Sequence, residues 1–97
     1  MILSSPEEFG LAVAGRIRRL RLDRGWSQKE MADRSGVKFA TYQLFELTGR
    51  ISLERLYRVA VALRCGHEFD GLFQPLPARS IEEMEPKPLR ERGRKVS

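Results

Sequence analysis

The sequence has little of the chemistry on which enzymes, metal sites and disulfide-stabilised folds depend. Its 97 residues include one cysteine, Cys65, and one histidine, His67. A single cysteine cannot form an intramolecular disulfide, and these two side chains fall short of the four ligands of a structural zinc. A glycine-rich phosphate loop is also missing. We therefore predict a protein that is not an enzyme, with no catalytic residues, no cofactor and no metal site.

Long apolar runs are missing as well. No segment approaches the roughly 18 apolar residues of a membrane span, and the first residues lack the positive stretch and apolar run of a secretory signal. The chain carries instead an excess of positive charge, with 18 lysines and arginines against 13 acidic residues and a formal net charge of +5. We expect a cytoplasmic, nucleoid-associated protein with no membrane contact and a polyanionic partner.

Prolines are rare before residue 75 and frequent after it. One of the five prolines is Pro6, and the others lie between Pro75 and Pro88, where apolar residues no longer recur at helical spacing. We predict a folded domain over residues 1–74 and a flexible, basic, proline-containing C-terminal tail over residues 75–97.

The folded part has the local signals of helices. Ser5 and Ser27 each stand at an N-cap position with a glutamate three residues later, which is the capping-box arrangement. Gly36 can take the left-handed conformation that ends a helix. We predict helices from Pro6 to about Arg24, from Ser27 to Gly36, from about Lys38 to Thr48 and from Ser52 to Cys65-Gly66. A short fifth element follows between Phe69 and Phe73, either one or two helical turns or a short strand. The pattern predicts an all-α fold.

Helical spacing also predicts which residues face the core. These are Phe9, Val13, Ile17 and Leu20 in the first helix, Met31, Ala32 and Ser35 in the second, Tyr42 and Phe45 in the third, and Leu53, Leu56, Tyr57, Ala60 and Leu63 in the fourth. Within the first helix, Gly10 and Gly15 each cost about 1 kcal/mol relative to alanine. This cost favours a frayed first half or a separate turn.

The third predicted helix has an apolar outward face. If Tyr42 and Phe45 point inward, the outward residues are Ala40, Gln43, Leu44 and Leu47, with Phe39 at the edge of the face. This is more exposed apolar surface than a protein of this size normally leaves without a partner. We expect a ligand to bind there.

Lys38 stands at the N-cap of this third helix and breaks a local rule. An N-cap side chain should accept a hydrogen bond, whereas an ammonium can only donate, and its charge opposes the positive end of the helix dipole. A phosphate group at this position would turn the conflict into an attraction.

The stretch from Trp26 to Arg50 has the features of a helix-turn-helix for DNA. Ala32 is small enough for a close helix crossing, and Gly36 supplies the turn four residues later. An amide such as that of Gln43 reads adenine, and the apolar side chains can meet thymine methyl groups. The predicted DNA-binding residues, which include candidates for phosphate contacts, are Gln28, Lys38, Phe39, Ala40, Thr41, Gln43, Leu44, Thr48 and Arg50.

This stretch resembles the Xre, or Cro/repressor, helix-turn-helix family. The resemblance covers about residues 14 to 73. It is carried by Arg21 with Gly25, Ser27-Gln28, Glu30, Ala32, Gly36-Val37, Glu46 and Leu53. It implies a five-helix repressor-like DNA-binding domain, a phosphate anchor at Gln28, and an ion pair between Arg21 and Glu46 that ties the first helix to the third.

Within that family the chain is similar to HipB-type antitoxins, which repress their own operon and bind a HipA-type kinase toxin. This similarity is carried by Gly25-Trp26-Ser27-Gln28, Lys38, Ala40-Thr41 and the segment from Phe45 to Leu53. The family usually has polar residues where this chain has Phe39 and Leu44, and often arginine where it has Leu47. The base contacts of other members therefore do not carry over.

We expect a sequence-specific transcriptional repressor that binds double-stranded operator DNA as a homodimer, because one short recognition helix makes few base contacts. The dimer surface would come from the fourth helix and the Phe69 to Phe73 segment. Two alternatives remain open: a phage, plasmid or restriction-modification regulator of the same fold without a toxin partner, and a protein-interaction adaptor that uses the apolar face of the third helix.

Overall fold

The computed structural model describes residues 5–75, whose regular structure is helical. The elements are α1 (Pro6–Asp23), α2 (Gln28–Ser35), α3 (Phe39–Thr48), α4 (Leu53–Ala62) and a single 3-10 turn (Gly66–Phe69). These residues contain no strand, which confirms the all-α prediction for this part of the chain. The five-helix count is not confirmed, because the fifth element is one 3-10 turn, and this turn ends at Phe69, where the predicted element was to begin. Apart from Pro75, the tail predicted over residues 75–97 lies outside the described residues.

Three of the four described α-helices begin at a serine that caps them. The hydroxyl oxygens of Ser5, Ser27 and Ser52 accept hydrogen bonds from the third backbone N–H that follows, at 3.1, 3.0 and 3.2 Å. The exception is α3, which begins after Lys38, and the side chain of Lys38 makes no capping hydrogen bond. The start of α3 therefore keeps its backbone donors available to a ligand.

The core lies where the four helices converge. α3 packs against both α1 and α2, and α2 packs against α4. The buried apolar residues are Ala14 and Ile17 from α1, Met31 and Ala32 from α2, Val37 from the turn, Tyr42 and Phe45 from α3, and Val59 and Leu63 from α4. Because α3 is held on one side only, its opposite side is left exposed.

The inward side of α1 differs from the prediction. Its buried residues are Ala14, Ile17 and Arg21, whereas Phe9 is 55% exposed. At 3.6 residues per turn, Phe9 lies roughly a third of a turn away from the centre of that stripe. Gly10 lies on it, so the N-terminal half of this contact side consists of the small residues Gly10 and Ala14.

The register of α4 also differs from the prediction. Val59 is fully buried, although it was not expected inward, while Leu53 is 67% and Tyr57 46% exposed. Leu53 is the first residue of the helix and lies outside the core. Tyr57 packs instead against the 3-10 turn, where its ring meets that of Phe69 edge to face at a centroid distance of 5.4 Å.

The end of α4 is closed by a non-glycine residue. The backbone N–H of Cys65 donates to the carbonyl of Ala60 at 2.7 Å, and that of Arg64 donates to Val61 at 2.9 Å. These two bonds form a Schellman motif that holds Arg64 at a left-handed φ of 63°. The prediction that Gly66 closes this helix is wrong, because the motif is completed two residues earlier.

Gly10 and Gly49 allow the backbones of α1 and the end of α3 to touch. A Cβ atom on Gly10 would lie 2.6 Å from the carbonyl oxygen of Gly49, and Gly49 itself has a φ of +78°. α1 runs through Gly10 and Gly15 without a break, so the expected frayed half or separate turn is wrong. The cost of Gly10 in helix propensity is offset by this close approach, which fixes the C-terminal end of α3.

Two matched substitutions in α1 should have effects of opposite sign. A Cβ atom on Gly15 would have no neighbour within 4 Å, so Gly15→Ala should raise the free energy of unfolding by about 0.5 to 1 kcal/mol through helix propensity. Gly10→Ala gains the same helix propensity, but its new methyl group would clash with the backbone of Gly49. This substitution should therefore lower the free energy of unfolding by about 1 to 3 kcal/mol. Urea denaturation of both variants measures the difference. Equal shifts in the same direction would contradict this account of the helix contact.

Candidate functional site

A buried ion pair joins α1 to α3. The side chains of Arg21 and Glu46 are 8% and 5% exposed, and Arg21 Nε donates to Glu46 Oε2 at 2.7 Å. Arg21 Nη2 donates to Glu46 Oε1 at 3.0 Å, so the pairing is bidentate. The remaining Nη1 donates to the backbone carbonyl of Trp26 at 2.7 Å. One guanidinium therefore links α1, the loop before α2, and α3.

Two further donors complete the shell of the Glu46 carboxylate. Gln28 Nε2 donates to Oε1 at 2.9 Å, and the hydroxyl of Tyr42 donates to Oε2. With Arg21, these groups supply four hydrogen bonds to one buried carboxylate. A buried charge is tolerated when it is paired and its lone pairs are occupied, and both conditions hold here.

The hydrogen bonds decide which way the pKa of each group moves. Burial by itself would raise the pKa of Glu46, but the hydrogen bonds from Arg21, Tyr42 and Gln28 outweigh it and lower that pKa below its ordinary value. The hydrogen bond to Glu46 raises the pKa of Arg21. Burial, and then the hydrogen bond to Glu46, raise the pKa of Tyr42. The cluster is thus held as an ion pair with a neutral phenol.

Gln28 extends this cluster to the outer side of α3. Its amide N–H points to Glu46, and its Oε1 accepts a long hydrogen bond of 3.4 Å from Nε2 of Gln43. Gln43 is exposed. Its own carbonyl oxygen and second N–H are left to meet a ligand.

The outer side of α3 presents an apolar surface around Gln43. Phe39 is 43%, Leu44 55% and Leu47 75% exposed. We call the exposed residues Phe39, Ala40, Gln43, Leu44 and Leu47 the α3 face. A shallow groove runs between this face and α1, lined by Arg18, Gln28, Ala40, Gln43, Leu44, Glu46 and Leu47.

Basic side chains stand at both ends of α3. Lys38 is exposed at its start and Arg50 is exposed just after its end. Between them, the hydroxyl of Thr48 donates to the carbonyl of Leu44 at 2.8 Å and accepts from the backbone N–H of Arg50 at 3.2 Å. The Thr48 hydroxyl proton is therefore engaged within the protein, and its role is to fix the chain that carries Arg50.

The predicted DNA-binding residues are brought together. Lys38, Phe39, Ala40, Thr41, Gln43, Leu44, Thr48 and Arg50 lie on α3 or beside its ends, and Gln28 lies next to them at the start of α2. All of them are exposed except Gln28, Thr41 and Thr48, which are half-buried. Their adjacency is a property of the fold. Their contact with DNA stays a prediction.

The arginines of α1 and its C-cap residue Arg24 divide into those with a partner among residues 5–75 and those without one. Arg24 donates to the carbonyl of Leu63 at 2.6 Å, and Arg19 pairs with Asp23 at 3.2 Å. Arg16 and Arg18 are exposed, and within residues 5–75 neither has a hydrogen-bond or ion-pair partner. The sequence does not distinguish the two kinds, because only tertiary packing separates them.

Sequence reasoning left two residues of this surface out of the site. Arg18 lines the groove beside Gln43 and Leu44, which depends on how α1 packs and leaves no local signal. Leu47 carried a signal, since it follows Leu44 by three residues and so shares its side of the helix. The predicted DNA-binding residues nevertheless included Leu44 and not Leu47.

Other kinds of site have little support in the described part of the chain. Residues 5–75 bring together no group of three or more His, Cys, Asp or Glu side chains that could hold a metal ion. None of the helices in this range has both the length and the apolar character needed to cross a membrane.

The arrangement of α2, the turn and α3 defines a class of protein. Gly36 adopts a left-handed φ of 72° between two short helices, and the second helix has an uncapped start and an exposed face. This is the geometry of a helix-turn-helix, in which the second helix is the recognition helix. Comparison with known proteins agrees, because a helix-turn-helix family model matches residues 17–69, more than half of the 97 residues.

The chain belongs to the Xre-like helix-turn-helix family of DNA-binding regulators. This confirms the family assignment made from the sequence, but the HipB-type subgroup is not confirmed. Searches of curated proteins and of solved structures gave no match.

Removing the charge of Glu46 should cost far more than removing that of an exposed partner. Glu46→Gln leaves Arg21 buried without a counter-ion and should lower the free energy of unfolding at pH 7 by about 3 to 5 kcal/mol. Asp23→Asn makes the same charge change in the exposed Arg19–Asp23 pair and should cost no more than about 0.5 kcal/mol. Denaturation of both variants provides the comparison.

The wild-type protein and the Glu46→Gln variant also provide a test based on pH. The pKa of Glu46 is lower in the folded than in the unfolded protein. Its carboxylate therefore makes its full contribution to the free energy of unfolding at pH values above the unfolded pKa of about 4.3. It is lost as the pH falls through the folded pKa. The stability gap between wild type and Glu46→Gln should be level from pH 6 to 8 and narrow below about pH 4.3. A gap that is no larger than that of Asp23→Asn would refute the role of the buried pair.

Proposed function

We propose that the protein is a sequence-specific transcriptional repressor whose α3 face enters the major groove of operator DNA. The observation that carries the proposal is the combination of a rigidly held α3 with an exposed outer face and an uncapped, basic start. The buried ion pair keeps the angle of α3 fixed. Lys38 and the free backbone donors behind it suit a phosphate group.

The exposed polar groups divide between two kinds of DNA contact. Gln43 presents a carbonyl oxygen and an N–H, the pair of groups that recognises adenine in the major groove. Lys38, Thr41 and Arg50 are placed around it, where phosphate contacts fix register. Gln28 anchors Gln43 and lies half-buried beside it. In this proposal Gln28 contributes its second amide N–H to the phosphate backbone.

The repressor acts as a homodimer in this proposal. Leu53, Tyr57 and Val61 recur every four residues on α4 and are all exposed. Leu72 and Phe73 add apolar surface after the 3-10 turn, and Phe73 is 99% exposed. A dimer through these residues would place two copies of α3 on half-sites about one helical turn, or roughly 34 Å, apart.

The finer assignment is that of a HipB-type antitoxin that represses its own operon and binds a HipA-type kinase toxin at the nucleoid. It is supported by the residues that carry the resemblance, several of which build the described surface, including Gln28, Lys38 and Thr41. The alternative of a phage, plasmid or restriction-modification regulator shares the fold and the DNA-binding surface.

Affinity purification of the protein, tagged at its native locus, distinguishes the antitoxin from the regulator without a toxin. The antitoxin assignment predicts that the tagged protein recovers a kinase-like protein encoded beside it, and that it represses the promoter of that gene pair. Repression with no stoichiometric partner would contradict the antitoxin role and leave the regulator without a toxin.

DNA binding itself is tested by selecting a site from a pool of random duplexes and measuring Kd over a range of salt. Gln43→Ala should lose about 1 to 3 kcal/mol on the selected site and little on random DNA. Lys38→Ser should weaken both equally and reduce the salt slope by about 1. Because serine is a good N-cap, Lys38→Ser should also gain about 0.5 to 2 kcal/mol in folding stability.

The Lys38→Ser variant is the control for damage to the fold, since it loses binding while it gains stability. If the wild-type protein binds selected and random duplexes equally weakly, the DNA-reading role is wrong. The adaptor, in which the α3 face binds a protein, would then be favoured.

A further inference from the structure

The α3 face lacks the groups that read guanine. Guanine is most often recognised by an arginine or lysine that donates to its O6 and N7 atoms. α3, from Phe39 to Thr48, contains neither residue type. Its acidic residue, Glu46, which could otherwise accept from cytosine, is buried in the ion pair with Arg21. The recognition helix is therefore poorly equipped for a G·C pair.

The same face is well equipped for an A·T pair. In the major groove this pair offers the N6 and N7 atoms of adenine, which an amide can bind, and the 5-methyl group of thymine, which favours apolar contact. Gln43 supplies the amide. Three of its four helical neighbours at three or four residues, Phe39, Ala40 and Leu47, are exposed, and the fourth is the buried Glu46.

The groove between α1 and α3 places these groups side by side. Ala40, Leu44 and Leu47 line it together with Gln43, and Arg18 lines its α1 side. Three apolar side chains beside the exposed Gln43 amide match a methyl group beside an adenine edge. Among residues 5–75, the side chains of Arg18, Lys38 and Arg50 around it have no acidic partner, which favours a polyanion over an apolar protein surface as the occupant.

We propose that the α3 face reads A·T base pairs and that thymine methyl groups, contacted by Leu44 and Leu47, are the main determinants of its sequence preference. The proposal rests on the proposed function, because it specifies which bases the DNA-binding face recognises. It assigns a role to Leu47, and it explains why an apolar surface is exposed on a helix that is otherwise surrounded by positive charge.

Replacing thymine by uracil tests this proposal at single atoms, because the two bases differ only by the 5-methyl group. Thymines of the site selected from random duplexes are replaced one at a time by deoxyuridine, and Kd of the full chain is measured at constant salt. The selected site should be rich in A·T pairs. Uracil at a contacted position should weaken binding about four-fold, the value of one buried methyl group. Uracil in place of thymine in a random duplex should leave Kd unchanged.

A variant pair connects the methyl groups to the α3 face. The double substitution Leu44→Ala and Leu47→Ala should bind the thymine and uracil sites equally. Leu11→Ala removes a similarly exposed leucine from α1 and should retain the roughly four-fold preference.

The outcomes distinguish this inference from the proposed function. If the protein binds its selected site specifically but does not discriminate thymine from uracil, or selects a G·C-rich site, the inference is wrong and the repressor remains. If no duplex is preferred over random DNA, both fail, and the α3 face is then a surface for a protein partner.

Discussion

The burial of the Glu46 carboxylate is the constraint on which the geometry of the α3 face depends. A ten-residue helix is too short to be stable by itself, so its position is set by packing. Hydrogen bonds to Glu46 from Arg21 and Gln28 connect α3 to α1 and α2, and Arg21 also binds the Trp26 carbonyl in the loop before α2. The bond from Tyr42 lies within α3 and completes the carboxylate's shell. Since a buried carboxylate without its partners would be costly, small movements of α3 are opposed by its contacts with Arg21 and Gln28.

This rigidity permits α3 to begin without an N-cap and to expose apolar residues on its outer side. The other three described α-helices have serine caps, whereas α3 starts at a lysine with no capping bond. Its outer residues are apolar and exposed. Near its other end, the Gly10–Gly49 contact holds the backbone against α1. Stability is thus supplied from the inner side and the C-terminal end of α3, while the outer side is suited to a ligand.

Features determined by neighbours in the chain were predictable from the sequence. The caps at Ser5 and Ser27 and the turn at Gly36 depend on side chains within a few residues, and the structure has them where they were expected. The Arg21–Glu46 pair spans 25 residues, so it was inferred from the family resemblance and not from spacing.

Features determined by tertiary packing were not predictable in this way. Gly10 reads as a helix defect until the approach of Gly49 is known, and Arg18 reads as one of several surface arginines until α1 packs beside α3. The register of α4 was misjudged at Val59, since leucines and a tyrosine gave a competing stripe. Within the site, the α3 face itself was evident from helical spacing.

DNA recognition by the side of α3 opposite the buried ion pair is tested most directly by amide NMR. Spectra of the full chain, recorded with increasing amounts of a specifically selected duplex, follow the surface residue by residue. We expect the largest shifts at residues 38–44, at Leu47 and at Arg50, while the buried amides of Val59 and Ala60 change little. If the signals of residues 38–44 stay unmoved at saturating duplex, the α3 face is not the DNA-binding surface.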